Sequence, residues 1–244
     1  MCTVTAVPRA RLAADLSPDR LLLRVACNRD ELLTRQPALP PTLWAAGPRR
    51  AVMPIDPESG GTWIAANDAG LVFVLLNSNH GFPARAGDLS RGVIIPTLVG
   101  CATTSRAVAQ AQRLQAWRFA PFRLLIIDRY EVVDCWPDGR RIRHRRAYLQ
   151  SAILRTSSGL GDALVTGPRR TLFQRVFDNA HDVRLAQDSF HRHHWPGREA
   201  ISVNMRRDDA RTVSQTIVEV RDGSVALSYR AVEWPHAVAI QVAA

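Results

Sequence analysis

Cys2 is the first residue of the chain that could do covalent chemistry, because it directly follows Met1. The initial Met is removed from a protein when the next residue is small, and cysteine is small enough. The amino group that this frees ordinarily has a pKa of about 7.7–8.0, so it can accept the thiol proton directly or through water. We therefore expect Cys2 to be an N-terminal nucleophile, although its position taken alone could be a coincidence.

A run of four polar residues, Asn28-Arg29-Asp30-Glu31, follows an apolar segment that ends in Cys27. Such a run is typical of a strand end that opens into a site. Beside a nucleophilic cysteine, Arg29 would favour the thiolate, and Asp30 would hold the amine or an attacking water. The alternative is a solvated loop with local ion pairs.

Hydrophobic periodicity indicates the elements that would position these residues. Strands dominate both ends of the chain and helices lie mainly between them, which excludes the regular alternation of a doubly wound sheet. The predicted fold class is α+β, a four-layer αββα sandwich of two mostly antiparallel sheets. The predicted strands span residues 4–7, 20–26, 62–66, 71–76, 124–128, 130–135, 200–205, 213–220 and 224–229, with a turn at Ser17-Pro18-Asp19 after the first. The predicted helices span residues 105–117, 168–178 and 185–193.

The order and spacing of several short motifs resemble those of the NRDE family, whose members are also called transport and Golgi organisation protein two homologues. The match extends from the N-terminus to Gly92, with weaker correspondence towards the C-terminus. The motifs are Met1-Cys2, Asn28-Arg29-Asp30-Glu31, Gly60-Gly61-Thr62-Trp63, Leu76-Asn77 and Ser90-Arg91-Gly92.

The resemblance implies an N-terminal-nucleophile hydrolase fold, similar to that of choloylglycine hydrolases and penicillin V acylases, which cleave amide bonds with a terminal cysteine. It implies that Cys2 is the nucleophile and that Arg29 and Asp30 are its electrostatic and water-positioning partners. Asn77 would donate its side-chain amide to an oxyanion. The residues expected to contact a substrate or ligand, or to shape its pocket, are Asn28, Glu31, Thr62, Trp63 and Arg91.

The C-terminal half departs from the family pattern. Asn204, Met205 and Arg206 stand where many relatives have a cysteine or a histidine before the final strand pair. A catalytic histidine from this segment is therefore not expected. Arg206 would be either a contact to an anion or a surface residue.

A histidine-rich segment, His191-Arg192-His193-His194-Trp195, invites a metal or haem-iron interpretation. The segment has no carboxylate or cysteine at ligand spacing, and Pro196-Gly197 ends it. We expect exposed histidines in a loop at the end of a helix, and we predict no metal site. Haem stays a possible ligand because the resembled family has been implicated in haem trafficking.

Two classes of function follow from these residues. The leading hypothesis is an amidohydrolase-like or acyl-transfer enzyme acting on a small acyl or amide substrate through Cys2. The alternative is a binding or carrier protein for haem or a lipid-like acyl ligand in the same cleft. The oligomeric state stays open.

Composition limits the remaining possibilities. The net charge of +10 comes from arginine alone, since the chain has no lysine, and this excludes Schiff-base chemistry on a lysine. The arginine run at residues 140–146 is interpreted as a solvated strand face, with no nucleic-acid partner. The longest apolar runs, such as residues 71–76, are far shorter than the roughly 20 residues that cross a bilayer. We expect a single domain over residues 1–244, cytoplasmic, with reduced thiols.

Overall fold

The structure is a computed structural model that describes residues 2–12, 20–79, 88–178 and 180–232. Met1 and the predicted turn at Ser17-Pro18-Asp19 lie outside the described residues. The strands are β1 (Cys2–Pro8), β2 (Leu21–Leu32), β3 (Leu39–Ala46), β4 (Arg49–Ile55), β5 (Ile64–Asn67), β6 (Val72–Asn77), β7 (Phe122–Ile127), β8 (Glu131–Pro137), β9 (Ile142–Tyr148), β10 (Ile153–Thr156), β11 (Ala210–Arg221) and β12 (Ser224–Ala231).

These strands form two antiparallel sheets. The first sheet has the strand order β10-β1-β2-β11-β12, and the second has the order β3-β4-β5-β6-β7-β8-β9. The predicted neighbours pair as expected: β1 with β2, β5 with β6, β7 with β8 and β11 with β12. The prediction missed β3, β4 and the short β10. The sequence of β3 and β4 contains Pro40, Pro41 and Pro54 and lacks a clear period-2 pattern.

Three α-helices lie in the described part of the chain: α1 (Thr104–Ala111), α2 (Asp162–Phe177) and α3 (Val183–Arg192). Helix α1 is shorter than predicted because the chain leaves the helix before a separate 3₁₀ turn at Ala116–Arg118. Helix α2 begins six residues before Pro168, the residue predicted to start it. Asp182 caps α3 by accepting hydrogen bonds from two backbone amides of its first turn.

Apolar side chains divide the molecule into four layers. The two sheets face each other across a central core, to which β1 and β2 contribute Val4, Val25 and Cys27. On the outer face of the first sheet, α2 and α3 pack through Leu172 and Phe190. On the outer face of the second sheet lie α1 and the 3₁₀ turns around Ile95. The predicted αββα sandwich is confirmed.

The predicted strand at residues 200–205 is wrong. A 3₁₀ turn occupies Glu199–Ile201, and the chain then bends before β11. The carbonyl groups of Ile201 and Ser202 accept hydrogen bonds from the Arg169 guanidinium instead of from a neighbouring strand. A side chain from α2 therefore satisfies backbone groups that a strand would have paired in a ladder.

The arginine-rich segment forms β9, the edge strand of the second sheet. Its residues after Ile142 are exposed, and Arg143 and Arg146 form ion pairs with Asp138 and Glu131. The interpretation as a solvated strand is confirmed, and charged side chains on an edge strand oppose pairing with another sheet. No helix in the described ranges is long and apolar enough to cross a membrane.

Candidate functional site

The polar tetrapeptide continues strand β2, although the sequence indicated that the strand ends at Cys27. Side chains alternate between the two faces of a strand, and directly opposite residues of antiparallel neighbours share a face. Cys2 lies opposite Arg29, whereas Thr3 lies opposite Asn28. Arg29 and Glu31 therefore share the face of Cys2, and Asn28 and Asp30 point towards the helices.

A cavity of about 180 Å³ opens beside Cys2. It brings together most of the site residues predicted from the sequence, and it adds several that were not predicted. The predicted residues in its wall are Cys2, Arg29, Glu31, Thr62, Trp63, Asn77 and Arg91. The unpredicted residues are Arg35, Asp56, Ser59, Leu75, Ser90 and Gly92.

Arg29 is held on three sides. Its Nη2 lies 2.9 Å from Asp56 Oδ2 and 3.3 Å from Glu31 Oε2, and its guanidinium stacks 4.2 Å from the centroid of the Trp63 ring. Arg35 approaches the same Asp56 oxygen at 2.9 Å. These contacts fix a buried cation beside Cys2, and Trp63 contributes a cation–π contact as well as a cavity wall.

Asp30 lies on the opposite face of β2 from the cavity and is 1% exposed. Its Oδ1 accepts a hydrogen bond of 2.6 Å from the Thr212 hydroxyl. Burial raises the pKa of Asp30, and the positive charge of Arg169 and the Thr212 hydrogen bond oppose that rise. The negative charge of Asp30 also reaches Cys2, where it opposes ionisation of the thiol.

Asn28 does not line the cavity, so the predicted contact between its side chain and a ligand does not agree with the structure. The Asn28 amide donates to the carbonyl groups of His191 and Val203, at 2.8 Å and 3.1 Å. Its Oδ1 lies 3.0 Å from Nδ1 of the His191 ring. Asn28 thus joins the first sheet to α3 and the segment that follows it.

His191 is buried at 2% exposure, and the expectation of an exposed residue is wrong for it. Its Nε2 lies 2.8 Å from the Thr5 hydroxyl, to which Gln187 donates. Because the Asn28 amide nitrogen is already donating, Asn28 Oδ1 must accept from Nδ1–H, and Thr5 must donate to Nε2. Burial lowers the pKa of His191 to about 3, so the ring is neutral. Both ring nitrogens are occupied and cannot bind a metal or haem iron.

The remaining histidines of that segment lie elsewhere. His193 is the C-terminal cap of α3, and His194 is exposed beyond the helix, so the two do not share a helical face with His191. Among the described residues, no group of three or more His, Cys, Asp or Glu side chains is arranged to hold a metal ion.

Cys2 and Cys27 are diagonal neighbours on the same face of the first sheet, since Val4 lies opposite Cys27. The neighbouring Cys27 thiol lowers the pKa of Cys2, and the charge of Arg29 acts in the same direction, whereas burial opposes both effects. The neighbouring Cys2 thiol, together with burial, raises the pKa of Cys27 well above its usual value. The Cys27 thiol donates to the Asn28 carbonyl, with 3.7 Å between sulfur and oxygen. Cys2 is therefore the thiol of this pair that ionises first.

Ser157 contacts the backbone of Cys2 on its other side. The Cys2 amide nitrogen donates to Ser157 Oγ at 3.2 Å, and the Ser157 amide donates to the Cys2 carbonyl at 3.0 Å. Removal of Met1 would convert this amide nitrogen into a primary amine within reach of the Ser157 hydroxyl. No motif in the sequence signals this contact, because Ser157 lies 155 residues from Cys2.

The two glycine-containing motifs form one wall of the cavity. Gly61 packs so closely against Gly92 that a β-carbon at position 61 would lie 2.3 Å from the Gly92 carbonyl group. The Thr62 amide donates to that carbonyl at 3.0 Å, and the Thr62 hydroxyl bonds the Ile64 backbone. Thr62 thus shapes the wall, and its hydroxyl is already engaged.

Asn77 ends β6 at the cavity and is half-buried. Within the described ranges, its side-chain amide has no hydrogen-bond partner, so it is available to an oxygen atom in the cavity. Arg91 lies on the same rim, and its Nη1 donates to the Pro121 carbonyl at 2.9 Å.

Three buried polar atoms near the Cys2 face have no partner in the described structure: Trp63 Nε1, Ser214 Oγ and Thr216 Oγ1. Ser214 lies opposite Arg29, and Thr216 lies opposite Cys27. An unsatisfied buried polar group costs about 1–3 kcal/mol. Their concentration at this position is characteristic of a site built for function at some expense of stability.

Comparison with solved structures places the fold. The structure is similar to a Caenorhabditis elegans N-acylethanolamine-hydrolyzing acid amidase ortholog, with a TM-score of 0.57 and 10% sequence identity, over 88% of this chain and 92% of that one. Penicillin V acylase from Agrobacterium tumefaciens gives a TM-score of 0.44 at 13% identity, over 94% and 86% of the two chains. A mutant of conjugated bile acid hydrolase from Clostridium perfringens gives 0.47 at 8% identity, over 96% and 97%.

At these identities the similarity shows the fold alone, and the predicted N-terminal-nucleophile hydrolase-like architecture is confirmed. No curated protein matches the sequence. A family model described as Transport and Golgi organisation 2 matches residues 1–163, which include Cys2, the whole cavity wall and Ser157.

Proposed function

The chain belongs to the Transport and Golgi organisation 2 family, and we propose that it is an amidohydrolase or acyl transferase whose nucleophile is Cys2. The observation that carries the proposal is the position of the Cys2 thiol. It lies at the head of a buried strand, in the wall of a cavity that also holds Asn77, whose amide has no partner among the described residues. The N-terminal-nucleophile fold and the amide-cleaving activity in the name of the similar amidase add support.

In the proposed reaction, the α-amino group of mature Cys2 takes the proton of the Cys2 thiol. The thiolate attacks the carbonyl carbon of the substrate, and the Asn77 amide donates to the oxyanion that forms. When the tetrahedral intermediate collapses, the carbon–nitrogen bond breaks and the Cys2 ammonium returns its proton to the leaving amine. The product of this half-reaction is a thioester on Cys2.

In the second half-reaction, water attacks the thioester and gives one proton to the Cys2 amine. Collapse of this intermediate releases the carboxylic acid, and the thiol regains its proton. An amine that replaces water would make the reaction an acyl transfer. Asp30 and Ser157 act as positioning residues: Ser157 bonds the Cys2 backbone, and the charge of Asp30 acts on Cys2 from the opposite face of the sheet.

The test is hydrolysis of p-nitroanilides with acyl chains of increasing length. We expect the native protein to release nitroaniline and Cys2→Ala to release none. Asn77→Ala should lower kcat by about 100-fold or more, as loss of one oxyanion donor does in other acyl-transfer enzymes. Cys101→Ala, whose half-buried thiol lies outside the cavity, is the matched control and should retain full activity. Hydrolysis that persists in Cys2→Ala would refute the proposal.

The carrier alternative has less support. The cavity of about 180 Å³ is smaller than the roughly 300–1,000 Å³ of typical ligand pockets. Both nitrogens of the His191 ring are engaged, which leaves Cys2 as the available axial ligand in the cavity. Titration with haemin tests this alternative, since a Soret shift that is lost in Cys2→Ala would favour a carrier.

A further inference from the structure

Among the arginines that line the cavity beside Cys2, one is not paired with a carboxylate of the described residues. Apart from the thiol, its charged lining residues are three arginines and two acids, and three cations minus two anions leave one positive charge. These residues are Arg29, Arg35, Arg91, Glu31 and Asp56.

Four of these side chains neutralise one another. Asp56 Oδ2 lies 2.9 Å from Nη2 of both Arg29 and Arg35. Glu31 Oε2 lies 3.3 Å from Arg29 Nη2 and 3.8 Å from Arg35 Nε. Outside the lining, Glu58 Oε2 lies 3.6 Å from Arg35 Nε. Arg29 and Arg35 are therefore engaged with carboxylates of the protein itself.

Arg91 is the unbalanced cation. The Pro121 carbonyl accepts from its Nη1, and no carboxylate of the described residues lies within ion-pair distance of it. Burial lowers the pKa of Arg91 and the charge of Glu31 opposes this change; the charge of Arg35 adds to the lowering, and that of the Cys2 thiol opposes it. Arg91 and Cys2 line the same cavity.

The rest of the lining suits a small polar ligand. Ser59 and Ser90 hold the Gly61–Gly92 wall by accepting from the amides of Gly61 and Gly92. Leu75 and Trp63 are the main apolar side chains of the wall. A partly buried guanidinium in such a site gains from a charge-assisted hydrogen bond to an anion.

We propose that the substrate carries a carboxylate or another small anionic group, close to the scissile amide, that binds Arg91. The inference deepens the proposed function, because it rests on an amide that reacts at Cys2, but anion binding itself does not require turnover. If Arg91 instead stabilised only the thiolate or the oxyanion, its removal would affect neutral and anionic amides to the same extent.

Binding to the Cys2→Ala protein tests the proposal without catalysis. The probes are two matched pairs of small amides at constant ionic strength, measured by calorimetry. N-butanoylglycine and N-butanoylglycinamide place the charge on the amine side, and N-propylglutaramic acid and its primary amide place it on the acyl side. We expect the anionic member of at least one pair to bind about tenfold more tightly.

The charge on Arg91 should account for this preference. Arg91→Met in the Cys2→Ala background should reduce the ratio of the two affinities towards one, and Arg91→Lys should retain part of it. Arg140→Met removes one exposed arginine outside the cavity and should leave the ratio unchanged. Equal affinities within both pairs, or a preference that survives in Arg91→Met, would overturn the proposal.

Turnover of the same four amides by the native protein separates the two proposals. Anion-selective binding without hydrolysis would remove the amidase proposal and keep the anion site. Hydrolysis through Cys2 without anion selectivity would remove the anion site and keep the amidase proposal. Unfolding curves identify any variant that fails to fold. If Arg91→Met fails to fold, the ratio of the two affinities in Arg91→Lys tests the proposal.

Discussion

At the scale of the residue, the neighbouring thiols of Cys2 and Cys27 determine how readily Cys2 ionises. Cys2 is only 3% exposed, and burial alone would make its thiol hard to ionise. The neighbouring Cys27 thiol and the charge of Arg29 act against burial, and together they lower the pKa of Cys2. Cys27 therefore contributes to the reactivity of its neighbour as well as to packing in the central core.

Replacement of Cys27 by Ala removes the neighbouring thiol and should raise the pKa of Cys2. Alkylation of Cys2 depends on the thiolate, so its rate at pH 7 should fall several-fold and its pH midpoint should move upward. Peptide mapping after iodoacetamide treatment over a range of pH gives both quantities. Cys101→Ala should leave the midpoint of Cys2 unchanged, and an unchanged midpoint in Cys27→Ala would show that the thiol–thiol contact has no influence.

At the scale of the element, strands and turns bring together motifs that lie far apart in the sequence. Seven residues of the family motifs line the cavity, whereas Asn28 and Asp30 lie on the opposite face of β2; the lining residues are Cys2, Arg29, Glu31, Thr62, Trp63, Asn77 and Arg91. Asp56 and Ser157 could not be predicted, since their roles come from strand pairing and from ion pairs with distant residues. The sequence predicted that the strand ends before the polar tetrapeptide, because polar residues do not continue its apolar pattern. Pairing with β11 extends the strand through these residues.

Close backbone contact between Gly61 and Gly92 holds one wall of the site. Gly61→Ala would place a methyl group against the Gly92 carbonyl and should displace the turn that carries Arg91, at a cost of about 1–3 kcal/mol in stability. Labelling of Cys2 by an acylating probe should slow as well. Gly167→Ala is the matched control in α2, where nothing lies within 4 Å, and it should stabilise the protein by up to about 1 kcal/mol. Equal unfolding curves for Gly61→Ala and the native protein would contradict this interpretation of the wall.

Arg169 ties α2 to the first sheet and to the bend before β11. It is 1% exposed, and it donates to Thr3 Oγ1 at 2.7 Å and to the Ser202 carbonyl at 2.6 Å. Arg169→Met leaves these acceptors unsatisfied and should lower the free energy of unfolding by about 3 kcal/mol. Its exposed neighbour gives the control: Arg170→Met should change urea stability by no more than about 0.5 kcal/mol. Similar losses in both variants would mean that the buried hydrogen bonds contribute little.

The pH dependence of stability belongs to the whole molecule, and His191 contributes to it with a defined sign. The pKa of His191 falls from 6.5 to about 3 on folding, so between these values the unfolded chain binds a proton that the native state does not. Unfolding therefore takes up a proton in this window, and stability decreases as the pH falls from 6.5 towards 3.

This contribution approaches about 1.4 kcal/mol per pH unit, and it should vanish in His191→Gln. Urea unfolding at pH 4, 5, 6 and 7 measures the slope, which is compared between proteins so that the lower absolute stability of the variant does not matter. The exposed His181 provides the control, because His181→Gln should keep the native slope. The same slope in His191→Gln would show that this ring is not a buried neutral group.

The net charge of +10 gives the whole molecule a positive field that attracts anions to a cavity with an unbalanced Arg91. At the centre of that cavity, the proposed chemistry depends on the mature form of Cys2. The most direct measurement is intact-protein mass spectrometry before and after a short exposure to a β-lactone probe, with peptide mapping of the adduct. We predict loss of Met1 and one acyl group on the N-terminal Cys2. Retention of Met1, with the label shared among Cys27, Cys101 and Cys135, would contradict the role of Cys2 as the nucleophile.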